Sequence, residues 1–412
     1  MRYSLFPLLS GCLLVASPAG AAALAGPISG WASGVPSYVS MYEYVPDKLA
    51  TNPPILVVAH YCSGNASGVF GEAKTGGIVA AADQYGFILV LPQTSNNCWD
   101  VGSSASLTHD GGGDTQAVAE MVKYELTKRS ANANRVYITG TSSGAMMTEA
   151  MLAVYPEMFK AGAEFSGVPA GCWAVGYSSS NQWSGSCADG QVSHTAQEWG
   201  DLARKMEPNY SGPRPRVQLW HGLSDPTISP NNQTEAIKEW TNVLGLAATP
   251  TATTNVSLSN HQWTRQTWQD SCGLTVLDAW SETNGPHGTD ANLNAMYVIP
   301  FLGLDKAGDT DPQQCGSAGM GGAGGTGGAG AAGAAAGGAS AGGRGGGRGG
   351  SAGMANALGG RGGTSSIGSG GVAAAGSAGG PSGGGSAGEN VAGRVGASGT
   401  GGLAGQSTGG GG

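Results

Sequence analysis

The chain has 412 residues, 76 of them glycine, and a formal net charge of −8. That acidic balance argues against a nucleic-acid binder, which needs a basic face. Glycine far exceeds its usual share of about 7% and is concentrated after Cys315, so the folded part is shorter than the chain.

Residues 1–25 read as a secretory signal peptide. Arg2 supplies the positive start, Leu5 to Ala16 an apolar stretch, and Ala19 to Ala25 mostly small residues suited to cleavage. The alternative is a lipid anchor at Cys12, because Leu9-Ser10-Gly11-Cys12 resembles a bacterial lipoprotein cleavage site. No other stretch approaches the roughly 20 apolar residues of a membrane span.

Pro36 to Tyr44 alternates like a strand. Ile55 to Ala59 is a continuous apolar run, the mark of a strand buried on both faces. Val69 to Tyr85 reads as one helix and Phe87 to Leu91 as a second buried strand. The loop Pro92 to Gly113 carries Asn96, Asn97, Cys98 and Trp99, and a helix follows over Asp114 to Thr127. Val136 to Thr139 is strand-like. Helix formers begin at Ala145.

Between that strand and helix lies Gly140-Thr141-Ser142-Ser143-Gly144, a G-x-S-x-G pattern. The same pattern surrounds Ser340, Ser351, Ser382 and Ser386, where Gly/Ser/Ala composition alone produces it. Only Ser142 follows an apolar strand and opens a helix, the context of a nucleophile elbow. The bland alternative is an ordinary glycine-rich turn.

Beyond the elbow, Ala161 to Ser166 is a strand and Gly167 to Ser193 a long polar loop. Helices are expected at Thr195 to Met206, Glu235 to Leu244 and about Asn292 to Leu304. Strands are expected at Arg216 to Trp220, and as a pair at His261 to Asp270 and Leu274 to Trp280. Strands alternating with helices predict an α/β fold with a mostly parallel central sheet and helices on both faces. The domain spans 26–315. Residues 316–412, nearly half glycine, cannot offset their ordering entropy and are expected to be a disordered linker or tail.

Seven cysteines with no Cys-x-x-Cys argue against a zinc cage and, in an exported chain, for disulfides. His60-Tyr61-Cys62, Asn97-Cys98 and Ser142 all follow strands and should share one sheet edge. That predicts a Cys62–Cys98 bond, the alternative being two unpaired buried cysteines. Cys172 and Cys187 are expected to staple their loop, and by elimination Cys272 pairs with Cys315. Asn65, Asn209, Asn232 and Asn255 sit in glycosylation sequons.

A serine hydroxyl needs a base, and the base an orienting carboxylate. An elbow implies the chain order serine, acid, histidine. His287, in a loop after a strand, is chosen over His261, which opens a strand. Asp225, in a turn past a strand end, is chosen over Glu198, Asp201, Glu235 and Glu239, which lie on helices and are expected to be solvated. The backbone amides of Ser143 and of Cys62, with Tyr61 as the alternative to Cys62, are the candidate oxyanion donors. Tyr61, Trp99 and Trp173 are candidate aromatic faces for sugar rings, with buried packing as the alternative.

His60-Tyr61-Cys62-Ser63-Gly64, Asn96-Asn97-Cys98-Trp99-Asp100, Leu107-Thr108-His109-Asp110-Gly111-Gly112-Gly113-Asp114 and the elbow resemble family 1 carbohydrate esterases. So do Phe165-Ser166-Gly167-Val168-Pro169, Trp220-His221-Gly222 with Asp225, and Gly285-Pro286-His287-Gly288. The closest likeness is to secreted acetylxylan esterases, with feruloyl esterases and polyhydroxybutyrate depolymerases as relatives. One departure is Thr289-Asp290, where relatives often carry apolar residues or proline. The resemblance implies an α/β-hydrolase fold and a Ser142–Asp225–His287 triad acting on acetylated xylan of plant cell walls, with no metal or cofactor. A monomer is expected. The rival from another class is a non-catalytic carbohydrate-binding surface protein.

Overall fold

The computed structural model describes residues 22–312 apart from 181, 259 and 289–293. Ten strands form one sheet: β1 (Ala25–Ile28), β2 (Val39–Tyr44), β3 (Ile55–Ala59), β4 (Ile88–Thr94), β5 (Val136–Thr141), β6 (Ala161–Phe165), β7 (Arg216–Gly222), β8 (Ala252–Leu258), β9 (His261–Gln269) and β10 (Thr275–Glu282). Their spatial order is β1-β2-β4-β3-β5-β6-β7-β10-β9-β8. From β4 to β10 every neighbouring pair is parallel. Antiparallel strands extend both edges.

All five residues of β3 are buried. Its side chains alternate between two cores. Ile55 and Val57 belong to the core that also holds Ile138, Leu152, Trp199 and Trp240. Leu56 and Val58 belong to the core that also holds Leu89, Tyr137, Trp220 and Leu302. Helices α3 (Asp114–Lys128), α4 (Ser143–Val154), α6 (Ala196–Met206) and α7 (Asn231–Val243) contribute to the first core. Helices α1 (Ala66–Thr75), α2 (Ile78–Tyr85) and α8 (Ala295–Leu302) contribute to the second. Each fully buried aliphatic side chain contributes about 1.5–3 kcal/mol, so this two-faced burial holds the sheet together. Among the described residues no helix is long and apolar enough to cross a membrane.

Several boundaries differ from expectation for identifiable reasons. The helix expected over Val69 to Tyr85 is two helices. Gly77 takes φ +86 between them, a left-handed conformation that glycine supplies at no steric cost. β1 and β8 had no apolar pattern to announce them; β8 is mostly exposed and held by its ladder to β9. The polar loop after β6 contains a 3₁₀ turn (Cys172–Ala174) and a short helix, α5 (Gly185–Ala188). α6 starts on a full capping box between Thr195 and Glu198.

The Cys62–Cys98 and Cys172–Cys187 bonds are both present. The expected Cys272–Cys315 pairing falls on Cys315, outside the described residues. So do the signal segment through residue 21, Cys12, Thr289-Asp290 and the tail.

Candidate active site

β5 leads into α4 through Ser142, which takes φ 56 and ψ −119. A non-glycine residue there is strained, and strain of this kind gathers at functional sites. The turn survives because its neighbours hold it. The Ser142 amide donates to the Phe165 carbonyl at 2.8 Å. A Cβ on Gly140 would lie 2.8 Å from the Ala59 carbonyl oxygen, and one on Gly144 would strike that same oxygen. Both glycines are thus required for the close approach of α4 to β3.

Two further loops meet at this sheet edge. Asp225 follows β7 and His287 follows β10. They are laced together: the Ser224 amide donates to the Gly285 carbonyl at 2.9 Å, and the Leu223 amide to the Glu282 carbonyl at 2.9 Å. Gly222 leaves no room for a Cβ against the Gly285 and Pro286 carbonyls. The Gly288 amide donates to Ser166 Oγ at 3.2 Å, which fixes the far side of the histidine loop.

The result is a continuous hydrogen-bond chain. His287 Nδ1 lies 2.7 Å from Asp225 Oδ2, and His287 Nε2 lies 2.9 Å from Ser142 Oγ. With Nδ1–H donating to the carboxylate, Nε2 is left to accept the serine proton. Asp225 is 7% exposed, and its other oxygen accepts from the amides of Thr227 and Ile228 at 2.8 and 2.9 Å. Burial alone would raise its carboxyl pKa. Hydrogen bonds from His221, His287, Ile228 and Thr227 outweigh burial and hold it well below the usual range.

Of the other candidate residues, some lie at the cleft and some do not. The amides of Cys62 and Ser143 make no hydrogen bond among the described residues. Cys62 and Tyr61 line the cleft that opens on Ser142 and His287, a volume of about 410 Å³. Trp99 and Trp173 do not line it. Trp99 is fully buried: its indole donates to the His60 carbonyl and its amide to Ser143 Oγ, both at 2.8 Å. It braces the two loops from behind. Trp173 is 2% exposed and packs edge-on against Trp183, ring centres 5.0 Å apart. Trp183 is the tryptophan that lines the cleft, with Glu72 and Thr227. Sequence reasoning missed Trp183 and Glu72, which come from a stapled loop and from the middle of α1.

The remaining histidines have other partners. His60 is buried and donates from Nδ1 to the Tyr61 carbonyl while Nε2 accepts from the Thr94 amide; burial lowers its pKa and keeps it neutral. His261 pairs with Glu282 at 2.6 Å. Asn232 is fully buried and donates to the Cys187 carbonyl at 2.9 Å, so its sequon is closed to a glycan.

Glu235 and Glu239 were expected to be solvated, and both are buried. Glu235 accepts from Lys238, Trp199, Ser193 and the His194 amide. Glu239 belongs to a group with Glu149 of α4 and Glu164 of β6. Each of the three has one clear donor: the Trp240 indole to Glu149, the Gly167 amide to Glu164 and the Ala170 amide to Glu239. Burial pushes all three carboxyls up, and the charge of Glu149 adds to the effect on the other two. Among the described residues no group of three or more His, Cys, Asp or Glu is placed to hold a metal ion.

A mostly parallel sheet flanked by helices, with an elbow serine between β5 and α4, defines an α/β-hydrolase. Residues 39–189 match the family described as Esterase PHB depolymerase. The chain belongs to the family of the acetylxylan and feruloyl esterases. Feruloyl esterase B of Neurospora crassa is 48% identical over 223 residues, 53% of this chain and 74% of the relative. The solved acetyl xylan esterase from Aspergillus awamori superposes with a TM-score of 0.61 at 37% identity, covering 68% of this chain and 99% of that one. The probable acetylxylan esterase A of Aspergillus fumigatus is 49% identical over 216 residues, 51% of this chain; the match spans only 56% of that relative's length.

Proposed function

We propose that this chain is a secreted serine esterase that removes acetyl groups from xylan. The observation that carries the reading is the unbroken chain from Ser142 through His287 to Asp225, with links of 2.9 and 2.7 Å. Ser142 Oγ attacks the ester carbonyl while His287 Nε2 takes its proton. The tetrahedral oxyanion is held by the amides of Ser143 and Cys62, whose hydrogen-bonding capacity is unspent. His287 passes the proton to the departing sugar oxygen, leaving an acetyl-enzyme. Water, deprotonated by the same imidazole, then releases acetate and restores the serine. Asp225 holds the imidazole tautomer and stabilises its charge. These steps draw on no metal or cofactor.

The disulfides Cys62–Cys98 and Cys172–Cys187 fit an oxidising compartment and support export through a signal peptide at residues 1–25. Residues 316–412 act in this reading as a spacer, and the domain works as a monomer. Feruloyl ester hydrolysis is the second reading, favoured by the 48% identity to feruloyl esterase B. Polyester depolymerisation is the third. Comparing turnover on acetylated xylan, methyl ferulate and polyhydroxybutyrate separates them; acetylated xylan is expected to be the best substrate, and a preference for either of the others overturns the choice. A non-catalytic carbohydrate-binding protein would leave Ser142 unlabelled by a fluorophosphonate.

A further inference from the structure

The cleft beside Ser142 has a polar wall that acyl transfer does not use. Tyr61 comes from the loop after β3, and Glu72 from α1. The Tyr61 hydroxyl donates to Glu72 Oε1 at 2.9 Å. Both residues line the same cleft as Ser142, His287 and Trp183, and among the described residues no Lys or Arg lines it. Glu72 Oε2 is buried without a hydrogen-bond partner among the described residues. A carboxylate only accepts, so the Tyr61 proton is committed to Glu72. What Tyr61 then offers the cleft is its oxygen lone pairs. The hydrogen bond to Glu72, with burial, raises the Tyr61 pKa further, so the hydroxyl keeps its proton at neutral pH.

We propose that Tyr61, oriented by Glu72, accepts a hydrogen bond from a free hydroxyl beside the ester on the alcohol side of the substrate. The acetyl group has no donor, so a hydroxyl that meets this acceptor belongs to the sugar. The pair therefore selects acetyl esters of polyhydroxy alcohols over acetyl esters that lack a neighbouring hydroxyl. Glu72 acts as a positioning residue, because it sets where the tyrosine proton points. This inference rests on the proposed ester hydrolysis at Ser142.

The test compares kcat/KM on a monoacetylated methyl xyloside with kcat/KM on 4-nitrophenyl acetate, for wild type, Tyr61→Phe and Glu72→Ala. The sugar-to-aryl ratio is expected to fall about three- to tenfold in both variants, the range of one hydrogen bond, with the change carried by KM on the sugar ester. An unchanged ratio in both variants overturns hydroxyl recognition while leaving the esterase reading standing. A wild type that cleaves the aryl ester but not the sugar ester overturns the sugar-ester reading, and this inference with it. Should Tyr61→Phe fail to fold, Glu72→Ala carries the ratio alone.

Discussion

The imidazole of His221 stands against the carboxylate of Asp225, its Nε2 3.3 Å from Oδ2, with both side chains fully buried. The same Nε2 lies 2.9 Å from the Ile228 carbonyl oxygen, so it carries the proton and donates. Oδ2 of Asp225 is thereby shared between His221 and His287. His221→Phe removes a donor from the buried acid. A loss of about tenfold in kcat on an acetyl ester is expected, in line with one charge-assisted hydrogen bond. His221→Gln, which keeps an N–H, should recover most of that loss.

The same contact has a consequence in acid. The folded-state pKa of Asp225 is depressed. Its stability contribution is therefore present above the ordinary value of about 3.9 and lost as pH falls through the folded value. Removing the His221 donor raises that folded value, so His221→Phe should unfold at higher pH than wild type in an acid titration followed by circular dichroism. Coincident titrations would show that His221 does not support the carboxylate.

The buried Glu149, Glu164 and Glu239 predict the opposite dependence. Their folded pKa values are raised, so the folded state binds extra protons above the ordinary glutamate value of about 4.3. The stability they contribute is complete at or below that pH and declines as pH rises. Glu149→Gln keeps an acceptor for the Trp240 indole and removes the charge. Its melting temperature should gain on wild type progressively from pH 5 to pH 8; a gap independent of pH contradicts the account.

The Cys62–Cys98 and Cys172–Cys187 disulfides should fail differently. Cys62–Cys98 spans 36 residues and Cys172–Cys187 spans 15. Chain entropy puts their losses at about 4 and about 3 kcal/mol. Cys62 sits in the loop beside Ser142, whereas the second bond holds the loop that carries Trp183. Replacing the first pair by serine should lower kcat, and replacing the second should raise KM. Melting curves and steady-state kinetics check both; identical kinetic effects would sink the distinction.

Much of this was legible in the residues themselves. Strands buried on both faces, such as Ile55 to Ala59, announce themselves by unbroken apolar runs. The edge strands Ala25–Ile28 and Ala252–Leu258 do not, because ladder hydrogen bonds hold them rather than side-chain burial. Chain order and turn chemistry singled out Ser142, Asp225 and His287, and the fold brings those three within hydrogen-bonding distance. Side-chain direction was not readable. Trp99 and Trp173 turn into the core while Trp183 turns to the cleft. Glu239 looked like a solvated helix carboxylate, yet it is buried beside Glu149 of α4, where the Ala170 amide replaces water as its donor.

The central claim is that Ser142 is the nucleophile. It is tested most directly by the hydrolysis of a small acetyl ester by Ser142→Ala, with folding verified by its melting curve. The expected loss in kcat is at least about 10⁴-fold, of the order seen when a nucleophilic serine is removed from other hydrolases. A folded Ser142→Ala that retains turnover within about tenfold of wild type would contradict it.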